Sequence, residues 1–474
     1  MSTTKTILKN TTWLFISNIV TNIFGFFIIV LIARFLGDVN LGIYSFALSF
    51  VVIFASLADF GVRTFMVREV ARDKKKTDLF FGNVLGFKLI ANLIALLIPC
   101  ILIFFMGRDI VTIKIVIIFG LAMFFDYFTL AYRSIFNAYE KMEYEAIVRM
   151  IVKFIIFSIG GLLLYFGYGL VAFALVLLLA EFIYFNILRY IYIKKVEIPK
   201  FKFDFKFWKY LFKKSLPFWF TFIFVKIYFQ ISNIMLPLMK NYEVTGWYNA
   251  ALKLVDGLYF IPFVVTMAVF PAMSRLFIKN KNYLKLLYEK AFKYLFIIAF
   301  PIGIGTLLLA NRLILFIYKK EFAQSSIALQ ILIWAEVFIF LNLFVGHLLG
   351  SINKQKLFAY STGVCVVLNI ILNLILIPKF SYIGASVALV ITEVVNFALL
   401  YYFSFKNKFK LPLFKLTYKP IIAGLVMGAF IIYFKFLHIV VLVPLSAVLY
   451  LVVLVIIKDI GKEEIDLIKN IRMR

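Results

Sequence analysis

Residues 11–34 read TTWLFISNIVTNIFGFFIIVLIAR, a stretch whose one charged side chain, Arg34, stands at its end. About 20 apolar residues are enough for a helix to cross the hydrocarbon core of a bilayer. The stretch has no small-residue cleavage motif, so we expect a retained membrane helix rather than a cleaved signal peptide. Apolar runs of this kind recur along the whole chain, which predicts an all-α integral membrane protein.

The composition excludes several classes of protein. Hydrophobic residues make up 64% of the 474 residues and charged residues 16%, and the mean hydropathy is +1.01. Soluble domains carry about 25% charged residues, so a soluble enzyme and a disordered chain are excluded. Cys100 and Cys365 are too few for a disulfide framework, and with His347 and His438 they lack the spacing of a metal centre.

Fourteen apolar runs are long enough to span a membrane. The predicted spans are residues 11–34, 41–66, 79–105, 111–136, 146–166, 168–189, 215–238, 245–275, 287–310, 323–350, 357–377, 382–405, 418–434 and 438–457. An even number of spans places both termini on the same side of the membrane.

The distribution of basic residues predicts the orientation. With both termini in the cytoplasm, 36 of the 51 Lys and Arg residues fall in inner segments and 8 in outer connectors, the rest lying within spans. This asymmetry follows the positive-inside rule for the cell membrane. We therefore assign the net charge of +28 to topology and to contact with anionic membrane lipids, and expect no nucleic-acid partner.

An internal repeat indicates two similar halves. Sliding the chain by 204 residues places Gly42-Ile43-Tyr44 on Gly246-Trp247-Tyr248, and farther on Glu181 falls opposite Glu393. Internal repeats are common in transporters. The repeat predicts two six-helix lobes that surround a central cavity.

The lobes are predicted to cover residues 1–190 and 215–405, joined by a basic cytoplasmic linker at 191–214. Residues 406–474 are expected to hold two further helices and a cytoplasmic tail. Two interpretations of the linker stay open: a docking site for a partner enzyme, or an amphipathic segment lying on lipid headgroups.

Several short stretches, mostly in the first 150 residues, resemble a known family. They are Lys9-Asn10-Thr11-Thr12-Trp13, Ala33-Arg34-Phe35-Leu36-Gly37, Leu41-Gly42-Ile43-Tyr44-Ser45, Leu57-Ala58-Asp59-Phe60-Gly61, Val67-Arg68-Glu69 and Phe136-Asn137-Ala138. Together they resemble the polysaccharide biosynthesis family of lipid-linked oligosaccharide flippases, in the superfamily of multidrug, oligosaccharidyl-lipid and polysaccharide exporters.

This resemblance implies a cargo and a mechanism. The cargo would be a glycan on a polyprenyl phosphate or pyrophosphate, carried from the cytoplasmic to the outer leaflet for cell-surface polysaccharide assembly. The mechanism would be alternating access through a central cavity. We expect a monomer without a cofactor, with glycan-assembly enzymes as further partners.

Cations inside the spans are candidates for binding the phosphate, because charges in a bilayer usually face a polar interior. They are Lys226, Arg63, Lys253 and Arg34. The alternatives are an unidentified carboxylate partner for Lys226 and snorkelling to the outer face for Arg34. For Arg63 and Lys253 the alternatives are intrahelical ion pairs with Asp59 and Asp256.

Carboxylates inside the spans are candidates for coupling transport to a proton gradient, since a low dielectric favours their protonated form. They are Asp59, Asp256, Glu181 and Glu393, with Asp126 and Glu336 also present. The alternative is that each neutralises a buried Lys or Arg.

Four polar residues are candidates for a Na⁺ site, because hard cations prefer oxygen ligands. They are Asn233, Asn369, Asn373 and Thr392. The resemblance to the lipid II flippase adds to this prediction, although asparagines stand here where that protein supplies carboxylates. Hydrogen bonds between helices are the alternative.

Two other function classes remain for comparison. One is a cation-coupled multidrug or metabolite antiporter of the multidrug and toxin extrusion type, against which the stretches Val67-Arg68-Glu69 and Gly42-Ile43-Tyr44 and the count of fourteen rather than twelve spans favour the flippase. A membrane glycosyltransferase would need acidic residues clustered in an outer loop for a divalent metal, and the outer connectors contain no D-x-D or E-x-D motif. We therefore expect a transporter and not an enzyme.

Overall fold

The computed structural model describes residues 3–57 and 59–459, with side chains except at 3–8, 57, 217, 218, 220 and 221. Within these ranges the chain forms helices and no strand, as a bilayer requires of a chain that must satisfy its own backbone hydrogen bonds. The all-α prediction is confirmed. The helices are α1 Thr3–Leu57, α2 Val62–Arg72, α3 Thr77–Phe105, α4 Ile110–Ala138, α5 Met142–Tyr165, α6 Gly169–Lys195, α7 Phe205–Met239, α8 Tyr242–Asp256, α9 Phe260–Lys279, α10 Lys281–Ile317, α11 Ser325–Ser351, α12 Gln355–Lys406, α13 Leu413–Tyr433 and α14 Ile439–Ile456.

The described residues contain 12 helical segments that are long and apolar enough to cross a membrane. Two of these segments lie in α1 and α12, which are 55 and 52 residues long, more than twice the length that a single span needs. Non-helical backbone at Gly37 (φ 80°) and Ser381 (φ 55°) divides each of them in two. Counted in this way, the described part of the chain has fourteen spans, which is the predicted number.

The predicted continuous span at 41–66 is wrong. Helix α1 ends at Leu57 and α2 begins at Val62. Phe60 (φ 47°) and Gly61 (φ 67°) adopt the left-handed conformation that ends a helix and that favours glycine. Hydropathy alone did not reveal this break, because Asp59 is the one charged residue between Leu57 and Val62. The last residues of the break are close to the candidate site described below.

The predicted span at 245–275 lies within one helical segment, Tyr242–Lys279, that is long and apolar enough to cross a membrane. Helix α8 ends at Asp256, and the 3-10 turn Gly257–Tyr259 leads into α9. Asp256, Tyr259 and Phe260 all keep right-handed helical backbone, so this turn is not a break of the kind that follows Leu57.

The chain divides into two compact units, residues 1–250 and 251–474. In the first unit α1 packs against α5 and α7, and α4 packs against α6. In the second unit α11 lies against α10 and α12, and α13 packs on α10. The lobe boundaries at 190 and 215, which rest on the sequence repeat, stay a prediction.

The segment predicted as a linker is bound to α3. The backbone N–H of Lys202 donates to the Gly82 carbonyl at 3.0 Å, and Trp208 Nε1 donates to the Asn83 carbonyl at 3.0 Å. Lys202 Nζ also lies 2.5 Å from an Asp78 carboxylate oxygen. The linker is thus fixed to α3, and Phe205 within it is 71% exposed, as expected for a segment that contacts lipid headgroups.

Residues that the sequence repeat equates make reciprocal contacts within the first unit. A Cβ on Gly42 would lie 1.8 Å from the Tyr242 carbonyl oxygen, and a Cβ on its counterpart Gly246 would lie 2.0 Å from the Asp38 carbonyl oxygen. Trp247 Nε1 donates to Asp38 Oδ2 at 2.8 Å. Only glycine permits this close crossing of the second half of α1 and the start of α8.

The two helices after residue 405 pack in the second unit. A Cβ on Gly424 would lie 2.6 Å from the Phe300 ring, and one on Gly428 would lie 3.2 Å from Ile304. Tyr450 OH donates to the Ile297 carbonyl at 2.9 Å. These contacts hold α13 and α14 against α10. Residues 460–474, where most of the predicted cytoplasmic tail falls, lie outside the described residues.

Candidate functional site

A buried ion pair stabilises the break between α1 and α2. Lys88 on α3, with a fully buried side chain, places its Nζ 2.8 Å from Asp59 Oδ1. The same Nζ lies 5.5 Å from the centroid of the Tyr127 ring, and Tyr127 OH lies 3.0 Å from Ser56 Oγ. Asp59 therefore has its partner on another helix, and the intrahelical pair with Arg63 does not form because the break removes the required i,i+4 spacing.

Two further cations lie near this break. Arg63 is exposed in the first turn of α2, and Lys226 is partly buried on α7. Lys226 is within electrostatic range of both Arg63 and Asp126, and its Nζ lies 5.6 Å from the centroid of the Phe222 ring. Among the described residues neither cation has a carboxylate oxygen within 4 Å. We refer to Arg63 and Lys226 as the cation pair.

A second group of charges lies between α4, α5 and α6 of the same unit. Asp126 is within electrostatic range of members of both groups. Three contacts hold the second group together: Arg133 to Glu145 at 2.6 Å, Lys153 to Glu181 at 3.3 Å, and Arg149 Nη1 to Asn18 Oδ1 at 2.9 Å. Glu181, a predicted coupling carboxylate, thus has a lysine partner, which is the alternative that the sequence left open.

The sequence argument did not single out three of these buried or partly buried cations, namely Lys88, Arg149 and Lys153. The signal was available, since all three are basic residues inside predicted spans. Their hydrogen-bond and ion-pair partners could not be predicted, because each partner is distant in sequence. Arg34 is exposed near the Gly37 kink.

The second unit contains three of the carboxylates that the sequence placed inside spans, Asp256, Glu336 and Glu393. Lys253 Nζ lies 3.9 Å from Asp256 Oδ2, so the i,i+3 contact considered from the sequence is present, with both side chains at least 40% exposed. Glu336 is 3% exposed and is within electrostatic range of Asp256 and Glu393. Glu393 accepts a hydrogen bond from Asn342 Nδ2 at 2.6 Å.

Three of the four residues predicted for a Na⁺ site lie together. Asn369 Nδ2 donates to Thr392 Oγ1 at 3.2 Å, and Asn373 Nδ2 donates to Asn369 Oδ1 at 2.9 Å. Thr392 Oγ1 and Asn369 Oδ1 therefore already accept hydrogen bonds. Hydrogen bonds between helices are the alternative to a Na⁺ site that the sequence left open. The described residues contain no group of three His, Cys, Asp or Glu side chains suited to a metal ion.

The fourth residue, Asn233, belongs to the first unit. Its Nδ2 donates to Ser49 Oγ at 3.0 Å, and its Oδ1 accepts from Asn249 Nδ2 at 3.0 Å. Ser49 in turn donates to Gln230 at 2.6 Å. Asn233 is thus part of a network that joins α1, α7 and α8, and its role as a sodium ligand stays a prediction.

Known proteins are similar to this chain in sequence or in fold. Capsular polysaccharide biosynthesis protein CapF of Staphylococcus aureus is 23% identical over 403 residues, covering 83% of this chain and 98% of CapF. Probable low-salt glycan biosynthesis flippase Agl15 of Haloferax volcanii is 27% identical over 152 residues, 32% of each chain. The lipid II flippase MurJ, solved in an inward closed conformation, superimposes with a TM-score of 0.79 at 20% identity, covering 94% of this chain and 99% of MurJ.

Two family models match the sequence. The MatE model matches residues 217–375. The model described as polysaccharide biosynthesis protein matches residues 7–277, more than half of the chain. The fold of MurJ and this match agree with the resemblance that the short sequence stretches indicated, and the chain belongs to the polysaccharide biosynthesis protein family.

Proposed function

We propose that this protein is a flippase that moves a glycan on a polyprenyl phosphate or pyrophosphate from the cytoplasmic to the outer leaflet. The family match, the relatives named for polysaccharide and glycan biosynthesis, and the fold shared with MurJ support a transporter of this kind. The nature of the cargo is our inference from the charged groups of the first unit.

The observation that carries the proposal is the pair Arg63 and Lys226. Two cations held within electrostatic range of each other repel, and a low-dielectric setting strengthens that repulsion. An anion between them removes it. The planar guanidinium of Arg63 can bind two phosphate oxygens at once, while the Lys226 ammonium acts as a point charge.

Asp126 gives this site a means of release. Its carboxylate is within electrostatic range of Lys226 and also of Arg133 in the second charge group. When the phosphate leaves, Asp126 offers Lys226 a replacement counter-charge. The lipid tail is expected to stay in the bilayer, because removing each CH₂ from an apolar environment costs about 0.8 kcal/mol.

Coupling to Na⁺ or H⁺ is a further part of the proposal. Glu336 is within electrostatic range of both Asp256 and Glu393 in the second unit. Close carboxylates disfavour a fully ionised state, so protonation or cation binding would relieve their repulsion. The test is the dependence of transport on each ion gradient, with loss of that dependence in Glu336→Gln.

Substitution of the two cations tests the phosphate site. Arg63→Ala and Lys226→Ala should each reduce glycan export at least tenfold at unchanged membrane levels, and Lys226→Arg should retain most of the export. Lys114→Ala is the matched control, because Lys114 is an exposed lysine within the α4 span. Full export by both alanine variants would contradict the assignment.

A cation-coupled multidrug antiporter is the second candidate, because the MatE model matches residues 217–375. Cells that overproduce the protein would then tolerate higher concentrations of cationic dyes. The cation pair favours the flippase, because Arg63 and Lys226 would repel a cationic drug. Dye resistance that is lost in Lys226→Ala, without any effect on glycan export, would favour the antiporter.

A further inference from the structure

A pocket of about 410 Å³ lies at one end of the first unit, separate from the cation pair. The start of α1, the end of α2, the end of α4 and the start of α5 form it. Its polar lining comes from Asn10, Thr11, Lys74, Asn137 and Glu140. The distribution of basic residues places these segments on the cytoplasmic side. The volume falls in the range of small-molecule sites.

The pocket unites two stretches that indicated the family from the sequence, those beginning at Lys9 and at Phe136. Asn10 Nδ2 donates to the Glu140 carbonyl at 2.9 Å, and Lys9 Nζ lies 3.0 Å from Glu143 Oε1. These contacts bring together residues more than 120 positions apart. The proposed phosphate site uses neither stretch.

Two residues of the lining, Asn10 and Asn137, carry amide oxygens that lack a hydrogen-bond donor within the described part of the chain. Asn10 is 5% exposed, and because its Nδ2 is used by Glu140, its Oδ1 must act as an acceptor. Among the described residues this oxygen has no hydrogen-bond partner, and neither has Asn137 Oδ1. Buried polar atoms of this kind normally have a partner in the protein, a water or a ligand. Sugar hydroxyl groups can donate to such oxygens.

The pocket also presents one cation. Lys74 lies on the lining with its Nζ 5.2 Å from the centroid of the Tyr139 ring. Tyr139 is itself fixed by Thr77, whose Oγ1 lies 2.9 Å from the tyrosine OH. The lining therefore combines several oxygen acceptors with one held ammonium group, which matches a ligand that carries both hydroxyl groups and an acidic group.

Helix α2 connects this pocket to the phosphate site. Arg63 stands near its start and Ala71, which lines the pocket, near its end. Eight residues of helix separate them, a rise of about 12 Å. A phosphate at Arg63 thus leaves the sugars attached to it within reach of the pocket.

We propose that this pocket binds a phosphorylated sugar, with Asn10 and Asn137 accepting from its hydroxyl groups and Lys74 binding its acidic group. The proposal rests on the proposed function, of which it identifies a site that selects the glycan before transport. The same chemistry occurs in a free sugar phosphate and in the sugar end of a lipid-linked glycan, and the experiment separates these sources.

The test is binding to the purified full-length protein in nanodiscs, measured by calorimetry without transport. The probes are N-acetylglucosamine 1-phosphate and N-acetylglucosamine on a short, water-soluble isoprenyl diphosphate. Lys74→Gln and Asn137→Leu should each weaken binding of both probes about tenfold. Ala71→Trp should abolish it by filling the pocket, and Lys75→Gln, an exposed neighbour, should not change it.

The pattern of variants identifies the source of the ligand. If Arg63→Ala weakens the isoprenyl probe alone, the pocket and the phosphate site hold one lipid-linked molecule. If Arg63→Ala affects neither probe, the pocket binds free sugar phosphates, and the inference still holds. Unchanged binding in Lys74→Gln and Asn137→Leu, or equal affinity for inorganic phosphate, would overturn it. If the protein binds the sugar probes but does not transport a lipid-linked glycan, the pocket assignment holds and the proposed function fails.

Discussion

Individual charged side chains decide how the break after α1 is stabilised. Lys88 and Asp59 neutralise each other in a place where the Lys88 side chain is fully buried. Removing one partner of such a pair leaves a charge in a low dielectric, which costs far more than removing both. The Lys88–Asp59 pair thus stabilises the break beside Arg63. It also leaves the Arg63 guanidinium without Asp59 as its counter-charge.

We expect Lys88→Met to lower the free energy of unfolding by about 3–5 kcal/mol, because it leaves the Asp59 carboxylate buried and unpaired. The double variant Lys88→Met with Asp59→Asn should recover most of this loss. Thermal unfolding of the purified protein in detergent measures both effects.

The control is Lys285→Met, which removes a pair with Glu289 that is 4.0 Å long and largely exposed on the lysine side. This change should cost no more than about 1 kcal/mol. Equal losses in the Lys88 and Lys285 variants, or no recovery in the double variant, would show that the buried pair does not stabilise the break.

At the scale of helices, close crossings depend on glycine. The carbonyl groups of Tyr242 and Asp38 occupy the space that a Cβ on Gly42 or Gly246 would need. An added methyl group must therefore push α1 and α8 apart, since backbone cannot move aside as a side chain can.

Gly42→Ala should separate the start of α8 from α1 and increase the distance between spin labels at Val39 and Glu243, both near the crossing. Electron paramagnetic resonance on labelled protein measures this distance. Gly25→Ala is the control, because a Cβ at Gly25 in α1 would meet nothing within 4 Å. An unchanged distance in Gly42→Ala would mean that α1 and α8 accommodate the added methyl group without separating.

Most helices could be predicted because a span depends on the composition of one local stretch. The kinks at Gly37 and Ser381 fell between predicted spans, so the count of fourteen held even though α1 and α12 run through them. The break at Phe60 and Gly61 was not predicted from hydropathy, and Lys88, the partner of the neighbouring Asp59, lies 29 residues away in sequence.

The candidate site could likewise be predicted only where it depends on local sequence. That Arg63 and Lys226 carry charge inside spans was visible in the sequence, but their mutual proximity is a property of how α2 and α7 pack. The sequence also missed Lys88, the partner that leaves Arg63 without Asp59. Asn233 was predicted beside Asn369, whereas the structure engages it with Ser49 and Asn249 in the first unit.

For the whole molecule, the positive-inside distribution predicts both termini in the cytoplasm. In a variant lacking Cys100 and Cys365, a cysteine at position 72 should react with a membrane-impermeant maleimide only from inside. A cysteine at position 319 should react only from outside, and this exposed site is preferable to the neighbouring Tyr318, which is buried. Labelling from the opposite sides would reverse the topology.

Transport of a lipid-linked sugar by the purified protein tests the central claim most directly. The protein is reconstituted into liposomes that carry a fluorescent N-acetylglucosaminyl polyprenyl diphosphate, and a membrane-impermeant quencher reports how much of it changes leaflet. We predict rapid transfer with the unaltered protein and with Lys114→Ala, and loss of transfer with Arg63→Ala and Lys226→Ala. Transfer at the rate of empty liposomes, or equal transfer by all four proteins, would contradict the account.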